Sequence, residues 1–559
     1  MSDRLFKGIL VACLVVYLLA MWSIPVIDID AAQYASMSRE MLENNSFLKL
    51  YDLGHDYLDK PPMLFWLSSL SMRFLGVYDW AYRIPSVLML LLAIYATYRL
   101  ALLFYSQTIA QLSAIILASS QAVFLMVHDV RCDTMLLGWV TFSLWQLAAW
   151  YENNRWKHLI WAFVAIAGGM MTKGPIALMV PAFAFIPHFV LRREWKQFFR
   201  WEYIIGLLIV AVLLVPMSIG LYQQYDLEPG KIFHGKPVNS GLLFYYWTQS
   251  FGRYTGENVF NEMNHFTFLL ENMLWSFLPW IFFFFGGLIF AVRELWMKRF
   301  RISGKEEWMT AGGFIITYCI LARSQAQLPH YIFVVLPLAA IIAARFLHRM
   351  LFEQQWPVWR KLFNWVHGFI FLLLWVAVIV LIFWPFPEIP MALKLLAIIG
   401  CLGFIGLLFR THKQPKSLFI WALYTVIGVN FLLATGFYPQ LLKYQLGNTA
   451  ASVIHQSQLD KNKVILYEID ESRALHFYGK HIFQRKIALD SLVDDEVVLT
   501  RKSTVPTLQQ RFPNLSTIFE GEYFGVSMLT LPFLNPKTRS KETVSYVLVD
   551  LDGQKNKKQ

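Results

Sequence analysis

Residues 59–76 read DKPPMLFWLSSLSMRFLG. The apolar part, Met63–Gly76, is short of the roughly 20 apolar residues that cross about 30 Å of hydrocarbon, and Arg73 falls near its end. It reads as an interfacial or re-entrant helix rather than a span. Omitting it from the span count sets the parity of every later helix. The stretch follows Asp59-Lys60-Pro61-Pro62, a charged and proline-stiffened loop in a chain that is otherwise lipid-soluble.

The chain has 559 residues, is 57% apolar and only 15% charged, with a mean hydropathy of +0.46. A soluble domain carries about 25% charged residues. Repeated apolar runs mark a polytopic α-helical membrane protein with about thirteen spans. The expected spans are 5–25, 84–104, 108–127, 134–151, 158–172, 175–191, 203–222, 273–292, 308–323, 331–348, 365–385, 391–409 and 417–436. The first run, Leu5 to Ile24, has a weak basic flank and no small-residue cleavage site, and reads as an uncleaved helix.

Loop charge tests the parity. With the N-terminus in the cytoplasm, four basic loops fall inside: Arg192/Arg193/Lys196/Arg200, Arg293/Lys298/Arg299/Arg301/Lys305, Arg349/Arg360/Lys361 and Arg410/Lys413/Lys416. Counting Met63–Gly76 as a span would send all of them outward. The net charge of +12 therefore reads chiefly as topogenic, with attraction to anionic membrane lipid second. Nucleic acid is an unsuitable partner, because the basic residues are scattered among loops. The four cysteines, Cys13, Cys132, Cys319 and Cys401, show no disulfide or metal spacing and read as small buried side chains.

This topology gives an inner-membrane protein whose outer, periplasmic face receives residues 26–83, the turn Arg131-Cys132-Asp133, the turn Thr172-Lys173-Gly174-Pro175, the loop Tyr222–Glu271, and Gln327-Leu328-Pro329-His330. Residues 1–440 form the membrane domain. Residues 441–559, with frequent charges and shorter apolar runs, form a small soluble α/β domain on the same side. Its expected strands are Val464–Ile469, Glu496–Thr500 and Val526–Leu531, with helices Ser472–Tyr478 and Thr504–Arg511 between them.

An outward-facing site for a lipid-linked phosphate needs a cation for the phosphate and a carboxylate to orient or deprotonate an acceptor. Lys60 and Asp30 supply these, with Asp59 beside Lys60. Each candidate has a plainer reading. Asp28 or Asp30 caps the helix from Ala31, and Lys60 snorkels to the interface. Arg131 and Asp133 form a boundary ion pair or a helix cap. Lys173 belongs to turn chemistry, and His330 and Tyr331 open a helix. Arg253, in Phe251-Gly252-Arg253-Tyr254, suits phosphate or sugar contact or anchors an aromatic interface, and His265 lies nearby. No ligand spacing demands a metal, although Asp28, Asp30 and Asp133 could hold a divalent ion. No other cofactor is required.

The ordered set Asp30, Tyr34-Ala35, Arg39-Glu40-Met41, Asp59-Lys60-Pro61-Pro62 with Phe65-Trp66, Asp133-Thr134, Thr172-Lys173-Gly174-Pro175 and Leu328-Pro329-His330-Tyr331 with Pro337 resembles the GT-C-type, protein-mannosyltransferase-like bacterial membrane glycosyltransferases. Above all it resembles the branch that transfers aminoarabinose to lipid A. The resemblance covers roughly residues 5–340 and extends to the soluble domain. It implies inverting transfer of a sugar from an undecaprenyl-phosphate donor to a lipid A phosphate or another envelope glycolipid or protein. It also implies Asp30 as catalytic aspartate, Asp133 as second essential acid, Lys60 as phosphate holder, and Arg253 and Tyr331 as phosphate neighbours. The chain departs from the family at Ala31, Gln33 and Asp59, where the family carries glutamate, arginine and glutamate. Two other classes compete. A lipid-phosphate transferase or phosphatase requires a His and Arg cluster. A transporter or flippase of lipid-linked substrates places ionisable groups at the bilayer midplane with internal repeats; here the charged candidates gather at one face.

Overall fold

The computed structural model describes residues 1–233, 235–249, 252, 265–304, 306–324, 326–469 and 472–552. Ser2 caps the first helix, α1 (Asp3–Ser23), by accepting from the Leu5 N–H at 3.3 Å. The far end of α1 is closed by a residue distant in sequence. Arg83 is fully buried and donates through Nη1 to the carbonyls of Met21 and Ile24, at 2.7 and 2.6 Å. Orphan carbonyls at a helix C-terminus need such donors when water is excluded.

Nine further helices build the first half: α2 (Asp30–Glu43), α3 (Met63–Leu75), α4 (Asp79–Phe104), α5 (Gln107–Ala118), α6 (Gln121–His128), α7 (Cys132–Asn153), α8 (Trp156–Lys173), α9 (Ile176–Arg192) and α10 (Glu202–Leu221). At 13 residues, α3 is too short to cross a bilayer, as its sequence indicates. Helix α7 lies between α4 and α8, and Gly138 permits close approach: a Cβ there would lie 2.4 Å from the Met89 carbonyl oxygen of α4.

Each expected span corresponds to helix, and two of the thirteen runs are interrupted. Among the described residues seven helices are long and apolar enough to cross a membrane, or eight if a pair bent by 51° counts as one. That pair is α5 and α6, where the run 108–127 breaks. The Ser119 and Ser120 hydroxyls turn back onto the carbonyls of Ile115 and Leu117 at 2.6 and 2.9 Å, competing with the helix ladder. The run 273–292 likewise divides into Phe268–Ser276 and Ile281–Met297, with Pro279 in the gap, where it removes a backbone donor. Of the cysteines, Cys13, Cys132 and Cys401 are buried, whereas Cys319 is exposed on its helix.

The segment between α2 and α3 is folded tightly. A hairpin of β1 (Tyr51–Asp52) and β2 (His55–Asp56) turns at Gly54, with φ +81°. Glu40 accepts from the Leu53 and Gly54 N–H groups, both at 2.9 Å, and the Trp66 indole donates to the Phe47 carbonyl at 2.5 Å. The π-helical turn that follows α10, Tyr222–Asp226, holds the same loop from the side. Gln224 donates to the Leu50 carbonyl at 2.8 Å and accepts the Leu50 N–H at 3.0 Å. A second hairpin, β3 (Lys231–Phe233) with β4 (Lys236–Val238), follows.

The last membrane helix begins at Ser417 and continues to Gln445; the soluble unit starts at Gly447. Its five-stranded sheet contains β5 (Val464–Tyr467), β6 (Gln484–Lys486), β7 (Val497–Arg501), β8 (Ser516–Tyr523) and β9 (Val544–Asp550), in the order β6-β5-β7-β9-β8. The pairs β5/β6 and β5/β7 are parallel; β9 runs antiparallel to β7 and β8. Strand alternation sorts the two cores: Val464, Leu466, Val497 and Leu499 face one layer, and Ile465, Val498, Val547 and Val549 face the other. The expected helices form at Arg473–Gly479 and Val505–Arg511. The expected strand Val526–Leu531 does not. That segment is a turn leading into a helix at Leu531–Leu534, capped by Thr530. Its apolar residues serve domain docking: Phe524 and Val526 are buried with Phe533 in the membrane-domain core, and the rings of Phe524 and Phe533 stack at 3.7 Å.

A polar contact docks the same unit on its other side. Asp28 accepts from Ser472 Oγ and the Ala474 N–H, each at 3.0 Å. Burial pushes the Asp28 carboxyl up to about 6, against the lowering effect of those two hydrogen bonds.

Two predictions follow from this packing. A Cβ on Gly220 would lie 2.1 Å from the Leu48 carbonyl oxygen, so Gly220→Ala should destabilise the protein by about 1–3 kcal/mol, read as a lower melting temperature in detergent. An unchanged melting temperature would contradict that close approach. For Asp28, the unfolded carboxyl has a pKa of about 3.9, so between about pH 4 and 6 the folded protein holds a proton that the unfolded chain has lost. Stability from this group therefore declines as pH rises towards 6. The melting temperature of wild type minus that of Asp28→Asn should be larger at pH 5 than at pH 7; equal differences would show that burial does not raise this carboxyl.

Candidate active site

The site is assembled from helix ends. Helices α7 and α8 form an antiparallel hairpin through Asn154 and Arg155, with Asn154 left-handed at φ 52°. The start of α7 must then lie beside the end of α8. Asp133 in the first turn of α7 and Lys173 at the last position of α8 form an ion pair at 2.5 Å, with side chains only 6% and 14% exposed. Each charge also suits its helix terminus, anion at the N-end and cation at the C-end. Pro329–Val335 brings two more groups. His330 Nε2 lies 3.5 Å from Asp133 Oδ2, and the Tyr331 ring lies under the Lys173 ammonium, 4.2 Å from its centroid.

Arg131, the residue before α7, joins this pair to the first loop. Its Nη1 donates to Asp30 Oδ2 at 2.6 Å, its Nε donates to Asp129 Oδ2 at 3.0 Å, and Nη1 approaches His330 Nδ1 at 3.4 Å. A continuous chain of contacts thus runs Asp30–Arg131–His330–Asp133–Lys173. Asp30 is the first residue of α2, whose N-cap residue, Ile29, provides no side-chain cap.

Lys60 approaches from the loop before α3. Its ammonium pairs with Asp59 at 2.5 Å. Burial alone would favour the neutral amine, but the adjacent Asp59 carboxylate more than offsets it and holds the Lys60 pKa above the ordinary lysine value. Gln249 Nε2 donates to the Asp59 carbonyl and to Asp59 Oδ1, at 2.7 and 2.9 Å.

Lys60, Asp59, Asp133, Lys173, Gln249 and Tyr331 line one cavity of about 110 Å³. Its remaining wall is largely apolar, including Leu136, Ile176, Met179, Ile320, Leu321 and Val334. An ionic floor beside an apolar wall suits a ligand with a charged head and a hydrocarbon tail. Asp30 and Arg131 are linked to this cavity through His330 and Asp133.

Not every residue singled out from sequence comes here. Asp28 is engaged by the soluble unit, so its carboxylate is drawn away from Asp30. His265 pairs with Glu271 at 2.8 Å on an exposed surface. Arg253 lies outside the described residues. Among the described residues no group of three or more His, Cys, Asp or Glu side chains is gathered as a metal site. Asp28 accepts from Ser472 and Ala474, Asp30 pairs with Arg131, and Asp133 pairs with Lys173. Two participants escaped sequence reading. Asp129 had a signal, an acidic residue two positions before Arg131. Gln249, in a long loop with no motif, had none.

Residues 59–219 match the family model described as Dolichyl-phosphate-mannose-protein mannosyltransferase. Over 321 residues the chain is 28% identical to the undecaprenyl phosphate-alpha-4-amino-4-deoxy-L-arabinose arabinosyl transferase of Erwinia tasmaniensis, covering 56% of this chain and 54% of that protein. It thus spans about half the length of that relative. Over 451 residues it is 25% identical to a transferase of the same description from Sodalis glossinidius, covering 78% of this chain and 76% of that one. The whole fold superposes on ArnT from Cupriavidus metallidurans bound to undecaprenyl phosphate, with a TM-score of 0.73, 17% identity and 98% of each chain covered. The resemblance read from the sequence holds: this multi-span membrane protein has the GT-C-type fold and is similar to the protein-mannosyltransferase-like membrane glycosyltransferases, those of the aminoarabinose branch in particular.

Proposed function

We propose that this chain is an inner-membrane, inverting glycosyltransferase that moves a sugar from an undecaprenyl-phosphate donor to an acceptor on the periplasmic side, such as a lipid A phosphate. The observation that carries this reading is the cavity lined by Lys60, Lys173 and Tyr331 together with apolar side chains, with Asp133 paired to Lys173 and Asp30 joined to Asp133 through Arg131 and His330. The relatives named for aminoarabinose transfer support the choice of donor class.

In this reading Lys60 holds the donor phosphate and exchanges Asp59 for it. The acceptor oxygen attacks the anomeric carbon, the bond from that carbon to the phosphate oxygen breaks, and polyprenyl phosphate leaves. Lysine stabilises the charge that grows on the leaving phosphate, where the low dielectric strengthens the interaction. Asp30 takes the proton of a hydroxyl acceptor or orients it. A phosphate acceptor carries no proton to remove, and Asp30 then acts by its charge. Asp133 keeps Lys173 in place, and Arg131 holds Asp30. No step is assigned to a metal.

Two substitutions separate these roles. Asp30→Asn should lower the transfer rate by about 100-fold or more while leaving the affinity for undecaprenyl phosphate within a few-fold of wild type. Lys60→Ala removes a charge-assisted contact worth about 1.5–3 kcal/mol, so it should weaken undecaprenyl phosphate binding by about 10- to 100-fold as well as slow transfer. Purified protein, a radiolabelled undecaprenyl-phosphate aminoarabinose donor and lipid A provide the assay. Wild-type rates in both variants would sink the assignment. Mass spectrometry of envelope lipids with and without the gene identifies the modified acceptor; no change in any lipid or glycoprotein would leave the transferase reading without a product.

A further inference from the structure

The stretch that delivers Asp30 is held from both sides by residues that lie past position 440. Before Asp30, the Val26 N–H donates to the Tyr478 hydroxyl at 2.7 Å, and that hydroxyl donates to Asp79 at 3.1 Å. Gln445, almost fully buried, donates to the Val26 carbonyl at 2.9 Å and accepts the Asp28 N–H at 2.8 Å. The Asp28 carboxylate takes hydrogen bonds from Ser472 and Ala474, both at 3.0 Å. After Asp30, Gln33 Nε2 donates to Asp52 at 2.7 Å, and Arg473 Nη2 donates to the same carboxylate oxygen at 2.9 Å.

We infer that the C-terminal unit is a positioning module for the active site: Ser472, Arg473 and Tyr478, with Gln445, fix the backbone around Asp30 through Asp28, Val26 and Asp52, and so set the Asp30 carboxylate against Arg131. The inference rests on the proposed role of Asp30 in transfer. The need for the module follows from the local structure. Helix α2 starts at Asp30 without a side-chain cap, so its first residue takes its place from the preceding strand of chain. A displacement of about 1 Å at a reacting group costs on the order of 100-fold in rate.

The clamp is separable from attachment of the unit. A second contact holds the unit to the membrane domain elsewhere: Phe533 meets the Tyr444 ring edge-on at 5.1 Å and stacks on Phe524, the Phe524 N–H donates to the Tyr444 carbonyl at 2.8 Å, and Arg539 donates to the Tyr444 hydroxyl at 2.9 Å and to the Pro385 carbonyl. Removing polar groups from the clamp therefore leaves the unit docked. Asp28, Asp52, Arg473 and Tyr478 are positioning residues, since each acts on Asp30 through the chain on either side of it.

The test uses the full-length protein in detergent and the variants Arg473→Ala, Tyr478→Phe and Arg473→Lys. Hydrogen exchange is followed at the amides of residues 26–33, and kcat and KM are measured with undecaprenyl-phosphate aminoarabinose and lipid A. The expected result for Arg473→Ala and Tyr478→Phe is about tenfold faster exchange over 26–33, unchanged exchange in β5, β7 and β9, a kcat lowered about 10- to 100-fold and a donor KM within twofold of wild type. Arg473→Lys recovers part of the rate. Unchanged exchange over 26–33 overturns the inference. So does faster exchange there with an unchanged kcat, and so does faster exchange throughout the sheet, which would mark a merely structural role. If wild type itself transfers no sugar, the proposed function fails, and exchange over 26–33 alone decides the clamp.

Discussion

Charges removed from water must be matched, and that requirement organises this molecule. The pair Asp133–Lys173 lies where two packed helices end, with almost no access to solvent. Removing one partner of such a pair leaves an uncompensated buried charge at a cost of about 3–5 kcal/mol. The pair exists because α7 and α8 are antiparallel and of comparable length, so hairpin geometry and helix dipoles select the same two positions. Arg131 extends the matching to Asp129 and Asp30, which ties the first loop to the end of α6 and the start of α7. The resulting ionic layer holds α2, α6, α7, α8 and the segment Pro329–Val335 in one register.

The matched charges differ in how firmly their partners are fixed. Lys173 and Arg131 reach carboxylates anchored on separate elements. Lys60 pairs with its own chain neighbour, Asp59, in a loop. Exchange of that partner for an incoming phosphate needs no helix to move, whereas exchange at Lys173 would take from the buried Asp133 its ion-pair partner at 2.5 Å and leave it His330 at 3.5 Å. In the proposed reaction this difference singles out Lys60 as the group that meets the donor, with Lys173 and Tyr331 shaping the cavity behind it. Gln249 bonds Asp59 and so gives the displaced carboxylate a partner.

Much of this was legible in the chain. The short run Met63–Gly76 is α3, and Asp30, Arg131, Asp133, Lys173 and His330, which sequence placed on one face, meet through contacts between helix ends. Charge and apolar length carry that information because membrane helices run nearly straight between the two faces. Breaks within helices were not legible. The Ser119 and Ser120 hydroxyls bond the Ile115 and Leu117 carbonyls where α5 ends, yet serine elsewhere in these helices, such as Ser113, back-bonds without ending the helix. The difference lies in packing, where the Trp280 indole donates to Ser119 at 2.9 Å.

Asp28 and the segment Val526–Leu531 were misread for one shared reason. A carboxylate two residues from a catalytic candidate and an apolar run in a β-rich domain each carry a strong local signal, and in each the partner lies in the other domain. Asp28 meets Ser472 and Ala474, more than 440 positions away. Phe524 and Val526 meet the membrane helices instead of a neighbouring strand. One-dimensional periodicity measures what a segment needs buried or bonded, and it is silent about which surface meets the need. The two misread segments therefore lie at docking contacts of the C-terminal unit. The contact at Asp28 grips the chain that carries Asp30 both through hydrogen bonds and through Ala474 and Phe477, buried with Val26, Ala31 and Tyr34, whereas Phe524 and Val526 meet the membrane helices, so positioning falls to the first of these surfaces.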